Sequence, residues 1–559
     1  LPARDGPGKM IFGSTITLRQ WEWDISMLLL HNIRLKLDHQ EGELAEAAAR
    51  RLGISEGELV DVSIFKRSVD ARRENDIKLV YSLLVEVEDE EALSSRIERD
   101  SQVRPAPDTS YRLVTRASGE DVERPLVVGT GPAGLFAGLV LAEMGFEPLL
   151  LERGKKVRER AADTFEFWRE GSLNPESNVQ FGEGGAGTFS DGKLYTRVSD
   201  RANRDRKVLR EFVRAGAPEE ILYLNKPHLG TLRLVKILQK MRDRIQSLGG
   251  RYRYQSRVVD LLLEDGRVCG VRLEDGEEIL ARHVILAVGH SARDTFRMLQ
   301  ERGAALEAKP FSIGLRIEHP QSLIDRSQYG EQAGHPRLGA ADYQLVHHGS
   351  RGRSVYTFCM CPGGTVLAAA SELETVVTNG MSQYGRNAAN ANSAVVCEVS
   401  PRDYPGGPLA GIAFQRRWEE AAFQAGGENY HAPAQLVGDF LAGRASTSLG
   451  AVEPTYQPGV RPADLRACLP DYAAEAIREA LPAFDHKIRG FAMDEAVFTG
   501  VETRTSSPVR ILRGEDYQSI SLPGLYPAGE GAGYAGGILS SAVDGIKAAE
   551  AAALHIVGK

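Results

Sequence analysis

The hydrophobic and polar positions change rhythm several times along the chain, and each change marks an element. "NIRLKL" alternates as a strand. "EGELAEAAARRLGI" places Leu44, Ala48 and Leu52 on one helical face. "DVSIFKRSV" and "KLVYSLLVEVE" return to alternation and read as paired strands. This predicts a small α+β unit over residues 28–118. Residues 101–122 are polar, with two Pro and a Gly, and read as a linker. From Pro125 to Glu152 the pattern runs strand, helix, strand. Arg251–Ala287 is rich in strand patterns with Asp-Gly turns at Asp265-Gly266 and Asp275-Gly276. Residues 298–499 are mixed and punctuated by Gly and Pro, and the stretch from 500 to 559 returns to strand, glycine-rich turn and helix.

Two G-x-G-x-x-G matches compete for a nucleotide. Gly129, Gly131 and Gly134 follow the apolar strand "PLVV" and open the helix "AGLFAGLVLAEMG"; the next strand, "EPLLLE", ends at Glu152. Strand, helix and acid together form the mononucleotide-binding βαβ fingerprint. Gly129 permits the tight turn, Gly131 lets backbone approach a pyrophosphate, and Gly134 lets the helix pack on the sheet. The helix N-terminus presents free N–H groups and partial positive charge to phosphates. Glu152 stands where a carboxylate accepts from ribose hydroxyls, with Arg153 beside it.

The second match, Gly182, Gly184 and Gly187 in "VQFGEGGAGTFSDGKL", has no strand before it and no helix after it. The same stretch also approaches a triphosphate loop through Gly187, Gly192 and Lys193, but Leu194 stands where a magnesium-binding hydroxyl is required. It reads instead as a loop returning past the pyrophosphate and a flavin ring, with Gly184, Gly185 and Gly187 against the cofactor and Gly192 beyond it.

Two further segments choose FAD over a nicotinamide dinucleotide. "VILAV" followed by Gly289 has the short Ala-x-Gly turn that FAD proteins set beside the pyrophosphate. Val258, in the preceding strands, is the expected backbone neighbour of adenine. Near the end, "GLYPAGEGAGYAGGILSSA" carries Gly529 and Glu530, with Glu530 expected on a ribityl hydroxyl. Gly537 and Ile538 then open a helix aimed at the flavin pyrimidine edge. The chain shows no second complete βαβ fingerprint, so NAD(P)H is expected at most as a transient reductant.

Composition adds limits. Hydrophobic residues make up 42% and charged residues 26%, ordinary for a soluble globular chain, and the net charge of −8 speaks against a broad polyanion-binding surface. Five cysteines are too few for a disulfide framework, which points to a reducing cytoplasm. No metal site is expected. The apolar run Pro125–Glu152 is long enough to span a bilayer, but Gly, Pro and Glu143 interrupt it, so no membrane association is expected. Residues 1–27 read as a leader or added segment, with Met10 or Met27 as the native start.

"NVQFGEGGAGTFSDGKL" (178–194), "KPHLGT" (226–231), "FCMCPGG" (358–364), "NANSA" (390–394), "ETRTSSPVRI" (502–511) and "KRSVDARR" (66–73) resemble the bacterial family of uncharacterised FAD-dependent dehydrogenases. A more distant similarity reaches flavoproteins of the glucose-inhibited division protein A type, which modify tRNA. The nearer resemblance implies FAD and a redox role, with no established substrate.

The expected architecture is therefore α/β. A discontinuous Rossmann-like FAD-binding domain (119–297 and 500–559) holds an inserted mixed α+β substrate or capping domain (298–499), and a small α+β domain with its linker (28–118) precedes both. The expected activity is hydride transfer between flavin and a small molecule or NAD(P)H. The alternatives are an RNA-modifying or RNA-binding flavoprotein and a flavin-bearing scaffold without turnover. Oligomeric state is not legible. Candidate catalytic residues are Arg504, as an anion clamp or flavin-edge contact, and Cys361 of the Cys359/Cys361 pair. The blander readings are an Arg504–Glu502 ion pair and two thiols buried as small apolar groups. His290 could reach the cofactor but is more often simply a polar loop residue, and Asn387, Asn390 and Asn392 are as readily a turn cluster as hydrogen-bonding groups of the middle domain. "KRSVDARR" carries four basic residues, but residues 28–100 hold 11 Lys/Arg against 17 Asp/Glu, so nucleic-acid binding there is not expected.

Overall fold

The computed structural model describes residues 27–40, 42–73, 76–89, 93, 100–118, 122–196 and 200–558. The reading of 1–27 as a leader falls, apart from Met27, outside the described residues; Met27 itself opens the first strand, Met27–Lys36. The chain divides into two compact units. The first comprises the described residues up to Phe65 together with Val80–Asp108, and the second comprises Lys66–Leu79 and everything from Thr109 onward.

The first unit is built on a four-stranded sheet in the order Leu59–Asp70, Lys78–Val87, Met27–Lys36, Val103–Pro105. Alternation makes its core: Tyr81, Leu83 and Val85 are buried on one face of their strand. The helix Gly42–Leu52 buries Ala48, Ala49 and Leu52. The sequence placed 103–105 in a linker. They instead pair antiparallel with the first strand, Leu28 opposite Pro105, where a sheet edge tolerates proline.

The second unit contains a five-stranded sheet, all parallel, in the order Leu525–Pro527, Val284–Leu286, Leu126–Val128, Leu149–Leu151, Arg251–Arg253. Its central strands are continuous apolar runs because both faces are covered. The helix Pro132–Glu143 buries ten consecutive residues, Ala133 to Ala142. It packs on the C-terminal helix Ile538–Ile556, and the approach is close enough that a Cβ on Gly545 would stand 2.0 Å from the Ala133 carbonyl oxygen. A strand beginning at Leu525 thus joins the sheet that opens with Leu126.

Between them, residues 311–502 form a seven-stranded sheet in the order Val346–His348, Ser354–Cys361, Asn390–Val399, Phe311–Pro320, Val497–Glu502, Ala432–Leu436, Val460–Pro462. Its middle strands, 311–320 and 390–399, are buried almost throughout. The expected boundary at 499/500 falls inside the strand Val497–Glu502, which belongs to this sheet. Leu306–Ala308 then pairs antiparallel with Val509–Ile511 just after it. Among the described residues, no helix is long and apolar enough to cross a membrane.

Candidate functional site

A cavity of about 710 Å³ lies at the carboxyl ends of the parallel strands. Four turns meet there: Gly129 after Val128, Glu152 after Leu151, Gly289 after Leu286 and Gly529 after Pro527. Ligand crevices of open α/β sheets sit at this end, where strand-following loops and helix N-termini converge. Gly129 has φ +96°, and a Cβ on it would strike the Ala287 carbonyl at 2.4 Å. Gly131 caps the helix Pro132–Glu143 with no side-chain partner, so the first amides of that helix are open to the cavity side. Gly537 does the same for the helix from Ile538.

Of the predicted cofactor residues, Gly129, Gly131, Glu152, Arg153, Gly185, Gly187, Val258, Gly289, Gly529, Glu530, Gly537 and Ile538 all line this one cavity. Gly134 and Gly184 do not. Gly134 serves packing, since its Cβ would stand 1.9 Å from the Gly129 carbonyl oxygen. Gly184 turns its α-carbon toward Leu238 and Thr188, away from the cavity, while its N–H donates to the Thr130 carbonyl at 2.9 Å.

The glycine-rich loop departs from expectation in two more places. A Cβ on Gly185 would meet Gly131 Cα at 2.9 Å, so this glycine joins loop to loop before it touches any ligand. Gly192, expected beyond the cofactor, lines the cavity and is crowded by Gly230 N at 3.0 Å, with φ +70°. Only a short 3-10 turn, Ala186–Phe189, precedes Lys193, and Leu194 is core. Lys193 donates from Nζ to the Met360 carbonyl.

Glu152 is the centre of the loop network. One carboxylate oxygen accepts from Thr130 N at 2.9 Å and Thr130 Oγ1 at 2.7 Å; the other accepts from Gly154 N at 2.9 Å and Gly182 N at 3.0 Å. Four donors occupy a carboxylate that sequence reasoning reserved for ribose hydroxyls. Arg153 stacks over the Phe181 ring at 4.0 Å and pairs with Glu176 and Asp294 at 2.9 and 3.0 Å. Gly529 N donates to Asp544 Oδ2 at 2.7 Å, and Asp544 is held by Arg513 at 2.6 Å. Burial pushes the Glu530 carboxyl up to about 7.

Arg504 reaches the cavity, but its fork is engaged. Nε and Nη2 donate to Glu419 at 3.1 Å each, and Nη1 donates to Ser291 and Ser371 at 3.0 and 2.6 Å. Glu419 also takes Arg293 at 2.8 Å. Burial opposes the Glu419 charge, but Arg293 and Arg504 outweigh it and hold the carboxyl well below its usual range. The suspected partner Glu502 pairs instead with Arg316, at 2.9 Å through both oxygens. The same two arginines lie by His290, and burial with their charge lowers its pKa to about 3, so the imidazole lining the cavity is neutral.

The end of the cavity beyond the glycine turns is walled by Asp191, Lys193, Tyr343, Cys359, Met360 and Asn379. A β-bulge between Phe358 and Cys361 places Cys359 at φ +46°, with its side chain on the cavity wall, while Cys361 is buried. The two thiols do not repeat along one face of a regular strand, as alternation implied; the Cys361 thiol donates back to the Cys359 carbonyl at 3.3 Å. Asn392 is buried and accepts from Arg316 at 2.8 Å, and Asn390 donates to Glu318 at 3.1 Å, so both are structural. Sequence reasoning missed Arg160, Glu419, Arg316 and Asp544. Arg160 is fully buried and donates to the carbonyls of Asn178 and Val179 at 2.7 and 2.6 Å, setting the glycine-rich loop. Most of their partners lie far away in sequence, so no local spacing announces them.

Sheet, glycine turns and helix N-termini define a dinucleotide-binding α/β protein. Residues 310–505 match the family described as "FAD-dependent protein, C-terminal domain-like", and residues 27–86 match a domain of unknown function. An uncharacterised protein of Clostridium beijerinckii is 47% identical over 95% of this chain and 98% of its own. Protein FixC of Escherichia coli is 26% identical over 37% of this chain and 46% of its own length. Among solved structures, the glycerol-3-phosphate dehydrogenase of Bacillus halodurans complexed with FAD aligns with 13% identity and a TM-score of 0.32, over 78% of this chain and 65% of that one. The chain belongs to the family of FAD-dependent proteins that it shares with the Clostridium protein.

Proposed function

We propose that the protein is an FAD-dependent oxidoreductase that transfers hydride between flavin and a small-molecule substrate or NAD(P)H. The observation that carries this reading is the single cavity joining all four glycine or acid turns of the parallel sheet. Its residues fit the cofactor. A Cβ on Gly289 or Gly537 would meet no protein atom within 4 Å, and one on Gly131 would meet only Gly185 Cα at 3.7 Å. These are surfaces kept bare for a ligand to lie against.

In this reading the FAD-binding domain is discontinuous, with parts before and after the seven-stranded sheet, which supplies the substrate wall. The N–H groups of Gly131 and Ala133 face the pyrophosphate, Val258 passes the adenine, and Glu530 meets the ribityl chain. Bound FAD supplies two-electron chemistry at its ring. The chain orients the ring and substrate, and the neutral His290 and the closed Glu419–Arg504 cluster keep that wall free of loose charge. A metabolite suits the site better than RNA: at the wall formed by Lys226 and Asp342, the two charges already pair at 2.7 Å.

The test is anaerobic reduction of the FAD-loaded protein by NADH, NADPH and a metabolite panel, followed by flavin absorbance. Rapid bleaching by one class of donor supports the reading. A protein that holds FAD but is reduced by none and reoxidised by none is a flavin-bearing scaffold.

A further inference from the structure

Three features of the far cavity wall converge on the Cys359/Cys361 pair. First, the bulge turns Cys359 out of the regular strand into a left-handed conformation that a β-branched or bulky residue rarely adopts, and Cys359 lines the cavity. Second, Cys361, two residues on, is buried, and its thiol donates to the Cys359 carbonyl at 3.3 Å. Third, Lys193 is half-buried, with its ammonium on the carbonyl of Met360, the residue between the two cysteines. Arg316 also donates to the Cys359 carbonyl at 3.3 Å.

We propose that Cys359 and Cys361 are a redox-active dithiol, Cys359 the nucleophilic thiolate and Cys361 its resolving partner, that exchanges two electrons with the bound flavin. This rests on the FAD reading above. In the oxidising direction, the Cys359 thiolate and the Cys361 thiol form one S–S bond and break one S–H bond. One proton and two electrons leave to oxidised flavin, so charge and atoms balance. The reverse step makes the pair a reductant for a disulfide or another electrophilic, two-electron-accepting substrate entering the cavity.

The electrostatics support the assignment. The neighbouring Cys361 side chain holds the Cys359 thiol well below its usual range, with Lys193 and Arg316 adding to the effect, while Cys361 is pushed up. Burial works against the Lys193 charge, but the two cysteines and Asp191 outweigh it. Asp191, Glu502, Glu530, Tyr195 and Tyr343 also face this cluster, and Arg386 offsets Asp191. A Cys359 carrying a cation-stabilised thiolate reacts with alkylating agents below the ordinary thiol pKa, where each unit of lowering gives about tenfold more thiolate.

The test has two arms. In FAD-free protein, iodoacetamide labelling at pH 6–7 is followed peptide by peptide, with the part-exposed Cys269 as internal reference. Cys359 is expected to label at least about tenfold faster than Cys269, Lys193→Met to abolish most of that advantage, and diamide to give a Cys359–Cys361 disulfide, two hydrogens lighter. In FAD-loaded protein, anaerobic dithionite titration of the diamide-treated sample is expected to consume two two-electron equivalents per FAD. Cys361→Ser and Cys359→Ser should each consume one. Equal labelling of Cys359 and Cys269 with no disulfide overturns the proposal, and so does a single equivalent per FAD in the wild type. If the chain retains no FAD, the second arm fails with the FAD reading, while the first still decides whether the thiols form a reactive pair.

Discussion

Replacing Glu152 separates two roles that a βαβ acid can serve. If it only binds ribose, its loss weakens FAD and leaves the empty protein intact. The structure predicts more. Its carboxylate ties the first phosphate turn through Thr130, its own turn through Gly154 and the glycine-rich loop through Gly182. In Glu152→Gln the amide oxygen keeps two of the four donors, and the NH2 group faces the other two. Two buried donors left without acceptors cost about 1–3 kcal/mol each, so the FAD-free variant should lose about 2–6 kcal/mol. Glu152→Ala should lose at least as much unless water enters from the cavity. The assay is hydrogen exchange at the Thr130, Gly154 and Gly182 amides in FAD-free protein, with the denaturant midpoint of the second unit. Faster exchange at the amides that face the new NH2 group in Glu152→Gln, and at all three in Glu152→Ala, together with a lower midpoint, is the predicted result. Unchanged exchange and midpoint with weakened FAD binding would refute the hub and return Glu152 to the ribose alone.

Other outcomes follow from the same geometry. Glu419→Gln leaves Arg293 and Arg504 buried beside a neutral amide, so unfolding should cost about 3–5 kcal/mol less than in wild type; a loss below about 0.5 kcal/mol would free Arg504 for the substrate role first expected of it. Glu530 has a folded pKa near 7 against 4.5 unfolded, so the folded state binds the extra proton: this contribution is full below pH 4.5 and is lost as pH rises through 7. FAD-free wild type should therefore lose about 1–3 kcal/mol over that window relative to Glu530→Gln, and parallel pH profiles for the two would contradict the burial argument. Lys193, spent on a carbonyl beside two cysteines, supports no triphosphate chemistry. Purified wild type should show no ATP hydrolysis that Lys193→Met removes.

What was legible in the sequence was local. Gly129, Gly131, Gly134 and Glu152 lie within one βαβ unit, where steric need and spacing act over a short run of chain, and periodicity placed their strands and helix. Gly289 and Gly529 were legible because a short strand ending in glycine is itself a pattern. The edge strand Val103–Pro105 was not, because so short a strand carries no periodicity and its pairing partner, Leu28–Leu30, lies at the other end of the unit's sequence. The occupancy of Glu152 and Arg504 was illegible for the same reason: hydrogen-bond partners such as Gly182, Ser291 and Glu419 come from other elements. The bulge at Cys359 reversed a face assignment, since alternation holds only while the strand stays regular.

The central claim is that FAD lies in this cavity against the bare backbone of the first phosphate turn. Gly131→Ser tests it most directly. Gly131 has φ −66° and ψ −177°, which any residue adopts, and its added Cβ clears the protein by 3.7 Å. Serine is also a better helix N-cap than glycine, so the empty fold should be as stable as wild type or slightly more so. The measurement is the FAD-to-chain ratio and FAD dissociation constant of both purified proteins. The account predicts one FAD per wild-type chain and at least about tenfold weaker binding in Gly131→Ser at equal thermal stability, about 1.4 kcal/mol of lost contact. Equal FAD affinity in the two proteins, or a wild type that binds none, would contradict it.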